Sequence, residues 1–161
     1  MASIADMATE IERKFLLRND HWRAQAGRQQ RVVQGYLANT DRGSIRIRLH
    51  GDRASLNVKG MTLGVTRPEF DYAIPVADAE QMLRALCMKP LIEKTRYHVI
   101  HEGHTWEIDE FHGDNAGLVV AEIELGDKSE TFSMPDWLGA EVSDDPRYYN
   151  VCLVERPFRT W

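Results

Sequence analysis

The chain has 161 residues, of which 43% are hydrophobic, and its formal net charge is −5 at pH 7. This length and apolar content suit a single folded domain, and the acidic balance argues against a general nucleic-acid-binding protein, whose binding face is basic. No apolar run is long enough to cross a membrane, and the two cysteines, Cys87 and Cys152, lie far apart. We therefore expect a reduced, cytoplasmic setting, with neither a membrane nor a nucleic acid as partner.

Residues 1–8 show little pattern and are expected to form a loose leader, which leaves residues 9–161 as a single domain. Alternating polar and apolar residues, separated by Gly, Asp and Asn, predict eight β-strands in the rest of the chain. These strands cover residues 10–17, 32–38, 44–50, 54–59, 67–74, 92–100, 105–111 and 118–125.

Helices are fewer, and most are predicted from a capping signal or an apolar face. They cover residues 22–25 after Asp20, 79–87 after Asp78, 129–132, and 146–154, where Asp145 precedes a proline. Antiparallel strands with a few helices predict an α+β domain built around a barrel or a strongly curved sheet.

Polar residues two positions apart recur on almost every predicted strand. Residues i and i+2 of a strand point to the same face, about 6.6 Å apart. Seven of the eight strands have such sets, which are Glu10, Glu12 and Lys14; Arg46 and Arg48; Asn57 and Lys59; Glu69 and Asp71; Lys94 and Arg96; Glu107 and Asp109; and Glu122 and Glu124. A water-exposed face explains any one of them. Their repetition, with acids beside acids and bases beside bases, is unusual for such a face because like charges repel.

If these side chains share one concave face, that face must be hydrated or hold a charged ligand, because unpaired ions are too costly to bury dry. Clustered bases suit an anion with several negative groups, which arginine can contact bidentately. Clustered carboxylates suit a hard divalent cation, and oxygen ligands favour Mg²⁺ or Mn²⁺ over zinc. A metal-bound polyphosphate satisfies both kinds of cluster at once.

The segment EIERK at residues 10–14 resembles the ExExK signature of the CYTH domain family, also called the triphosphate tunnel metalloenzymes. Further blocks follow in the family's order, namely QGYL, IRIR, NVKG, RPEFDY, EKTRY, EIDEF, AEIEL and RYYN. The resemblance extends from residue 9 to about residue 155. It implies an eight-stranded antiparallel β-barrel, or tunnel, with a hydrophilic interior and a few covering helices. The apolar strand faces would then point outward, beneath the helices at 79–87 and 146–154.

The resemblance also implies roles for the aligned charges. The expected metal ligands are Glu10, Glu12, Asp109, Glu122 and Glu124. The expected phosphate contacts are Lys14, Arg46, Arg48, Lys59, Lys94 and Arg96. The expected catalytic residues are Glu122, Glu124 and Lys94. The expected supporting residues of the tunnel are Glu69 and Tyr36, although Tyr36 could equally pack in the core. Asp71 and Glu107 are expected at the rim or in solvent.

By this resemblance, the expected function is hydrolysis of inorganic triphosphate to pyrophosphate and phosphate, with Mg²⁺ or Mn²⁺ as cofactor and a small-molecule triphosphate as partner. Two alternatives stay open: an adenylate cyclase or thiamine triphosphatase of the same fold, and a non-catalytic polyphosphate-binding module. The carboxylate pairs count against the module, because acids oppose an anion that binds alone. The sequence also leaves open whether the protein is a monomer or a homodimer.

Overall fold

The computed structural model describes residues 9–61 and 65–161, so the predicted leader at residues 1–8 lies outside the described residues. Within the described residues, nine strands form one antiparallel sheet. In chain order they are β1 (Thr9–Leu17), β2 (Ala26–Thr40), β3 (Gly43–His50), β4 (Arg53–Gly60), β5 (Thr66–Ile74), β6 (Ile92–His101), β7 (His104–Phe111), β8 (Val119–Glu124) and β9 (Leu138–Glu141). The order across the sheet is β5-β4-β3-β2-β6-β7-β8-β1-β9, and pairing between β5 and β1 closes strands β1 to β8 into a barrel. The predicted eight-stranded antiparallel barrel is therefore confirmed.

All eight predicted strands are present, and seven of them begin and end within one residue of the prediction. The exception is β2, which spans Ala26–Thr40 where the sequence predicted residues 32–38. The two halves of β2 have different partners: residues 26–34 pair with β6, and residues 32–40 pair with β3. The strand is long because it joins the two halves of the barrel.

The short strand β9 was not predicted. Pairing between β1 and β5 ends at Ile11. Farther along β1, β9 pairs with Phe15 and Leu17. The N–H of Val142, just after β9, donates a hydrogen bond to the Lys14 carbonyl at 2.8 Å. A strand of four residues has too short a pattern to recognise, and β9 forms because β1 offers unpaired backbone groups there.

Three short α-helices occur in the described residues, namely α1 (Trp22–Gln25), α2 (Val76–Ala85) and α3 (Cys152–Glu155). Helix α1 occupies its predicted span, but His21 takes the N-cap position that was expected for Asp20. Helix α2 begins three residues before its predicted start, directly after the extended Pro75, so Asp78 lies in its first turn. None of the helices in residues 9–61 and 65–161 has the length and apolar character needed to cross a membrane.

Two other helix predictions are wrong, one in part. The predicted helix at 146–154 divides into a 3₁₀ turn at Pro146–Tyr148 and α3, because the backbone of Tyr149 is extended between them (φ −72°, ψ 133°). The predicted cap is present, since the Asp145 side chain accepts a hydrogen bond from the Arg147 N–H at 3.1 Å. Residues 129–132 form no helix. The Ser129 N–H donates instead to the Asp127 side chain at 2.8 Å, which stabilises a turn.

The apolar strand faces point outward, as the resemblance implies, and helices and loops cover them. Helix α2 packs Ala79 and Leu83 against Ile47 of β3. Around β1, β7 and β8, a second layer consists of Phe15, Trp22, Trp106, Ile123 and Trp137. Because the apolar residues of each strand point outward, the polar residues that alternate with them point into the barrel.

One end of the barrel is closed by the C-terminal segment. Toward this end, the inward-facing residues of four strands become apolar: Tyr36, Ile92, Phe111 and Val120. They pack with Leu153 and Val154 of α3, so the prediction that residues 146–154 cover an outer face is wrong. At the other end the interior reaches solvent, where Glu124 is exposed and the Glu107 side chain is 38% exposed. The polar interior of the barrel therefore opens to solvent at this second end, and we call it the cup.

Candidate active site

The inward-facing side chains of the cup surround a polar cavity of about 270 Å³. It is lined by Glu10, Glu12, Arg46, Arg48, Lys59, Arg67, Glu69, Arg96, Glu107, Glu122, Glu124 and Asn150. A smaller cavity of about 60 Å³, toward the closed end, is lined in part by Lys14 and Tyr36. Strand register brings distant charges opposite one another: Glu12 lies opposite Glu124, and Lys14 lies opposite Glu122. Residues that share a face of each strand therefore meet inside the cup.

Asp109 is held between two cations deep in the cup. The Lys94 ammonium donates to Oδ2 at 2.5 Å, and Arg96 donates from Nε to Oδ1 at 2.7 Å and from Nη2 to Oδ2 at 2.8 Å. Burial by itself would raise the pKa of Asp109, but Arg96 and Lys94 outweigh burial and lower that pKa to about 2. Burial lowers the pKa of Lys94 to about 7 despite the nearby Asp109 carboxylate. We call these three residues the Asp109 clamp.

Glu10 is held in the same way on the opposite side of the barrel. The Lys59 ammonium donates to both Glu10 oxygens at 2.8 Å, and Arg67 Nε donates to Oε2 at 2.8 Å. Burial would raise the pKa of Glu10, but Lys59 and Arg67 lower it to about 2. We call these three residues the Glu10 clamp. In both clamps, one carboxylate shares its negative charge between two positively charged side chains.

Arg46 and Arg48 have no such partner. Among the described residues, no carboxylate lies within 4.0 Å of either guanidinium. Arg46 Nε is buried without a hydrogen-bond partner, and Arg48 donates from Nε to the neutral Gln34 side chain at 3.2 Å. Burial and the neighbouring Arg46 lower the pKa of Arg48 to about 10. Two adjacent guanidinium groups that lack a counter-ion in the described part of the chain are suited to binding an anion.

Glu12 and Glu124 are the complementary case. No lysine or arginine of the described residues forms a salt bridge with either side chain. Burial, followed by repulsion from Glu122 and Glu10, raises the pKa of Glu12 to about 8, and burial also raises the pKa of Glu124. Lys14 Nζ lies 3.2 Å from Glu122 Oε1, but that oxygen accepts no hydrogen bond. Glu12 and Glu124 are therefore carboxylates without a positively charged partner in the described residues.

This donor set fits a hard divalent cation, because its members are carboxylates and a buried oxygen among them lacks a hydrogen bond. The ligands do not yet converge on one point: no group of three or more His, Cys, Asp or Glu side chains in the described part of the chain has metal-binding geometry. Glu12 and Glu124 would hold the ion together with the free Oε1 of Glu122. Glu10 and Asp109 are engaged by cations at 2.5–2.8 Å. Glu122 is engaged more loosely, by Lys14 at 3.2 Å and by Arg96 at 3.5 Å.

The structure brings the sequence-predicted residues into one cup. Glu69 accepts a hydrogen bond from the Asn57 amide at 2.7 Å and lines the cavity. Tyr36 was expected either to face the tunnel or to pack in the core. It does both, since it lines the smaller cavity and packs in the apolar cluster at the closed end. Glu107 was expected at the rim or in solvent; it lines the cavity near the opening and forms an ion pair with Arg96. Asp71 contacts the Asn57 amide at 3.3 Å.

Arg67 and Asn150 line the cavity but were missed by the sequence analysis. A signal for Arg67 was available, because it shares its strand parity with Glu69 and Asp71. Asn150 gave no such signal. It follows an extended break in the C-terminal segment, and its Oδ1 lies 3.4 Å from Lys94 Nζ. Its position depends on how that segment closes the barrel.

A sequence profile described as the CYTH domain matches residues 8–149. The chain belongs to the CYTH domain family. Among CYTH relatives, the inorganic triphosphatase of Acetivibrio thermocellus is 47% identical over 155 residues, which cover 96% of this chain and 99% of that protein. The inorganic triphosphatase of Nitrosomonas europaea is 35% identical over 152 residues, which cover 91% of this chain and 97% of that protein.

A solved CYTH structure supports the same grouping. The crystal structure of an inorganic triphosphatase superposes with a TM-score of 0.65 at 32% identity, and the match covers 92% of this chain and 95% of that chain. The resemblance noted from EIERK and the blocks that follow it is therefore confirmed at the level of family and fold.

Proposed function

We propose that this CYTH domain hydrolyses inorganic triphosphate to pyrophosphate and phosphate, using a divalent cation, Mg²⁺ or Mn²⁺. The two relatives named inorganic triphosphatases support this proposal, since each is matched over nearly its full length. Residue roles in this chain are proposals of the same kind, and they rest on the geometry of the cup.

One observation supports the proposal most directly. Within residues 9–61 and 65–161, the cup contains two arginines without an acid partner, Arg46 and Arg48, and two glutamates without a basic partner, Glu12 and Glu124. All four line one cavity. An anion alone would satisfy the arginines and oppose the glutamates, and a cation alone would do the reverse. A polyphosphate with a divalent cation satisfies both.

Hydrolysis of a phosphoanhydride depends mainly on positioning and on neutralising charge. We assign Arg46 and Arg48 to the phosphate oxygens, which guanidinium groups can contact bidentately. Lys14 lines the smaller cavity nearer the closed end, where it would hold the deepest phosphate. Lys94 is fully buried and donates to Asp109, so its predicted phosphate contact stays a prediction. A divalent cation in this site supplies positive charge that neutralises the developing charge on the phosphate oxygens.

The attacking water requires a carboxylate that can accept its hydrogen bond. We assign this role to Glu124, with Glu122 beside it on β8, because Glu124 reaches solvent and forms no salt bridge with a base in the described residues. Glu122 is buried and close to Lys14, so it is more constrained.

A phosphate-release assay tests the proposal, with tripolyphosphate, ATP, thiamine triphosphate and pyrophosphate as substrates, each with Mg²⁺ or Mn²⁺. We expect the fastest release from tripolyphosphate. Formation of cyclic AMP and pyrophosphate from ATP would instead identify a cyclase. Metal-independent binding of tripolyphosphate without turnover would identify a binding module. No hydrolysis of tripolyphosphate with either cation contradicts the proposal.

A further inference from the structure

The Glu10 clamp contains a carboxylate that is fully occupied by bases. Both of its oxygens accept hydrogen bonds from Lys59, and Oε2 also accepts one from Arg67, all at 2.8 Å. Glu10 and Lys59 are both buried. Glu10 therefore cannot take a divalent cation, and Lys59 and Arg67 cannot fully engage a phosphate, while these three groups hold one another.

We propose that Arg67 and Lys59 exchange partners on ligand binding, which rests on the proposed function. They leave the Glu10 carboxylate for a triphosphate while a divalent cation takes their place on Glu10. Each ligand supplies what the other displaces: the cation neutralises the freed carboxylate, and the triphosphate neutralises the freed bases. Cation and triphosphate therefore bind as a linked pair, and each raises the affinity for the other.

Arg67 is suited to this exchange by its position. It lines both the larger cavity and the smaller one toward the closed end, and its side chain is 27% exposed. Glu10 engages its Nε, and a guanidinium group has further N–H donors in a fixed plane. A small swing of the side chain would direct these donors into the cavity. Arg67 is thus proposed as an additional phosphate-binding and positioning residue.

Arg48 provides a matched comparison, because it lies in the same cavity with the same charge but contacts a neutral glutamine instead of a carboxylate. Removing either arginine removes one positive charge from the cup. Removing Arg67 also frees part of Glu10. The exchange therefore predicts a difference between the two variants when the cation binds alone.

The test measures two ligands separately on Arg67→Gln, Arg48→Gln and the wild type. Mn²⁺ binding without triphosphate is followed by electron paramagnetic resonance of the free ion. Binding of a non-hydrolysable imido analogue of tripolyphosphate is followed by calorimetry in EDTA. In Arg67→Gln we expect Mn²⁺ to bind about tenfold more tightly and the analogue about tenfold more weakly, as for loss of one charge-assisted hydrogen bond. In Arg48→Gln we expect weaker analogue binding with a much smaller gain for Mn²⁺.

The reciprocal variant keeps the test decisive if Arg67→Gln does not fold, which thermal melts monitored by circular dichroism would show. Glu10→Gln releases Lys59 and Arg67, so the analogue should bind more tightly in EDTA, while Mn²⁺ alone binds more weakly. Glu124→Gln is its control, because it removes one negative charge from the same cavity without releasing a base. We expect the analogue to gain clearly less affinity from Glu124→Gln than from Glu10→Gln.

The outcomes separate this inference from the proposed function. If the analogue binds wild-type protein and Arg67→Gln shifts the two affinities in opposite directions beyond its control, the exchange is supported. If Arg67→Gln weakens both ligands, or matches Arg48→Gln in its effect on Mn²⁺, the exchange is wrong and the proposed function stands. If the analogue does not bind the wild type even with Mn²⁺ present, the proposed function itself is wrong.

Discussion

The charged side chains in the cup differ in whether an opposite charge lies within reach. Asp109 and Glu10 each contact two cations, so they are neutralised within the protein. Glu12 and Glu124 are not, and burial raises the pKa of both. Because unpaired buried charge is costly, the unpaired groups are the ones from which a ligand gains most.

Replacement of Glu124 tests its assigned role. We expect Glu124→Gln to lower the rate of phosphate release from tripolyphosphate by about 100-fold, the scale seen when one polar group that stabilises a transition state is removed. The fold should persist, since the side chain is exposed and the substitution preserves its shape. The measurement is kcat with Mg²⁺ or Mn²⁺ at saturating substrate.

The control for Glu124→Gln is Glu80→Gln, the same substitution at an exposed position of α2 on the outside of the barrel. It should retain the wild-type rate. Equal rates for the two variants would rule out Glu124 as a residue of the reaction.

The alternation of residues along each strand was enough to predict which charged side chains share the interior, but it could not show which of them pair with one another. Glu10 and Glu12 are two residues apart and look equivalent in EIERK, yet the pKa of Glu10 is lowered to about 2 and that of Glu12 is raised to about 8. The difference arises because Lys59 and Arg67, far along the chain, contact Glu10. Such pairing depends on how β1 meets β5, which local sequence does not encode.

At the scale of elements, β2 is held close to the segment that follows α2. Gly35 of β2 has no side chain, and a Cβ atom there would lie 2.7 Å from Cys87 Cβ and 2.8 Å from Leu91 Cδ2. We expect Gly35→Ala to lower the free energy of unfolding by about 1–3 kcal/mol, as overpacking does. Chemical denaturation followed by circular dichroism measures this change.

Gly27 lies on the same strand and serves as the control. A Cβ atom there would have its nearest contact at 3.6 Å, an ordinary van der Waals distance. Gly27→Ala should therefore change the free energy of unfolding by no more than about 0.5 kcal/mol. If Gly35→Ala were as mild, the close packing of β2 against the end of α2 would not be real.

The strands could be predicted well because each has a regular alternation of polar and apolar residues, but here the interior parity is the polar one. Short elements were harder to predict. β9 forms because β1 has an open edge, and α3 is separated from its predicted start by the extended Tyr149. Both outcomes depend on contacts with distant parts of the chain, so no local pattern announces them.

At the scale of the whole molecule, the cup contains unpaired charges of both signs, which ligands of opposite charge can neutralise. Ligands that bind the folded state stabilise it, by about 2.7 kcal/mol when their concentration is 100 times Kd. For a chain of this size we expect the imido analogue with Mg²⁺ to raise Tm by about 5–10 °C. Differential scanning calorimetry measures the shift.

Each ligand alone should raise Tm less, because the analogue without a cation leaves Glu12 and Glu124 unrelieved, and the cation without the analogue leaves Arg46 and Arg48 unrelieved. A shift with the pair no larger than the sum of the single shifts would contradict binding of the two as a linked pair.

The apolar packing at the closed end also bears on product release. Tyr36, Phe111 and Leu153 pack together there, whereas Glu124 at the other end is exposed. We therefore expect substrate and products to pass through the Glu124 end, so that the fragment nearer that end leaves before the deeper one. Product inhibition would reveal this order: the last fragment to leave should compete with triphosphate, and the first should inhibit non-competitively. Competitive inhibition by both pyrophosphate and phosphate would indicate a second exit.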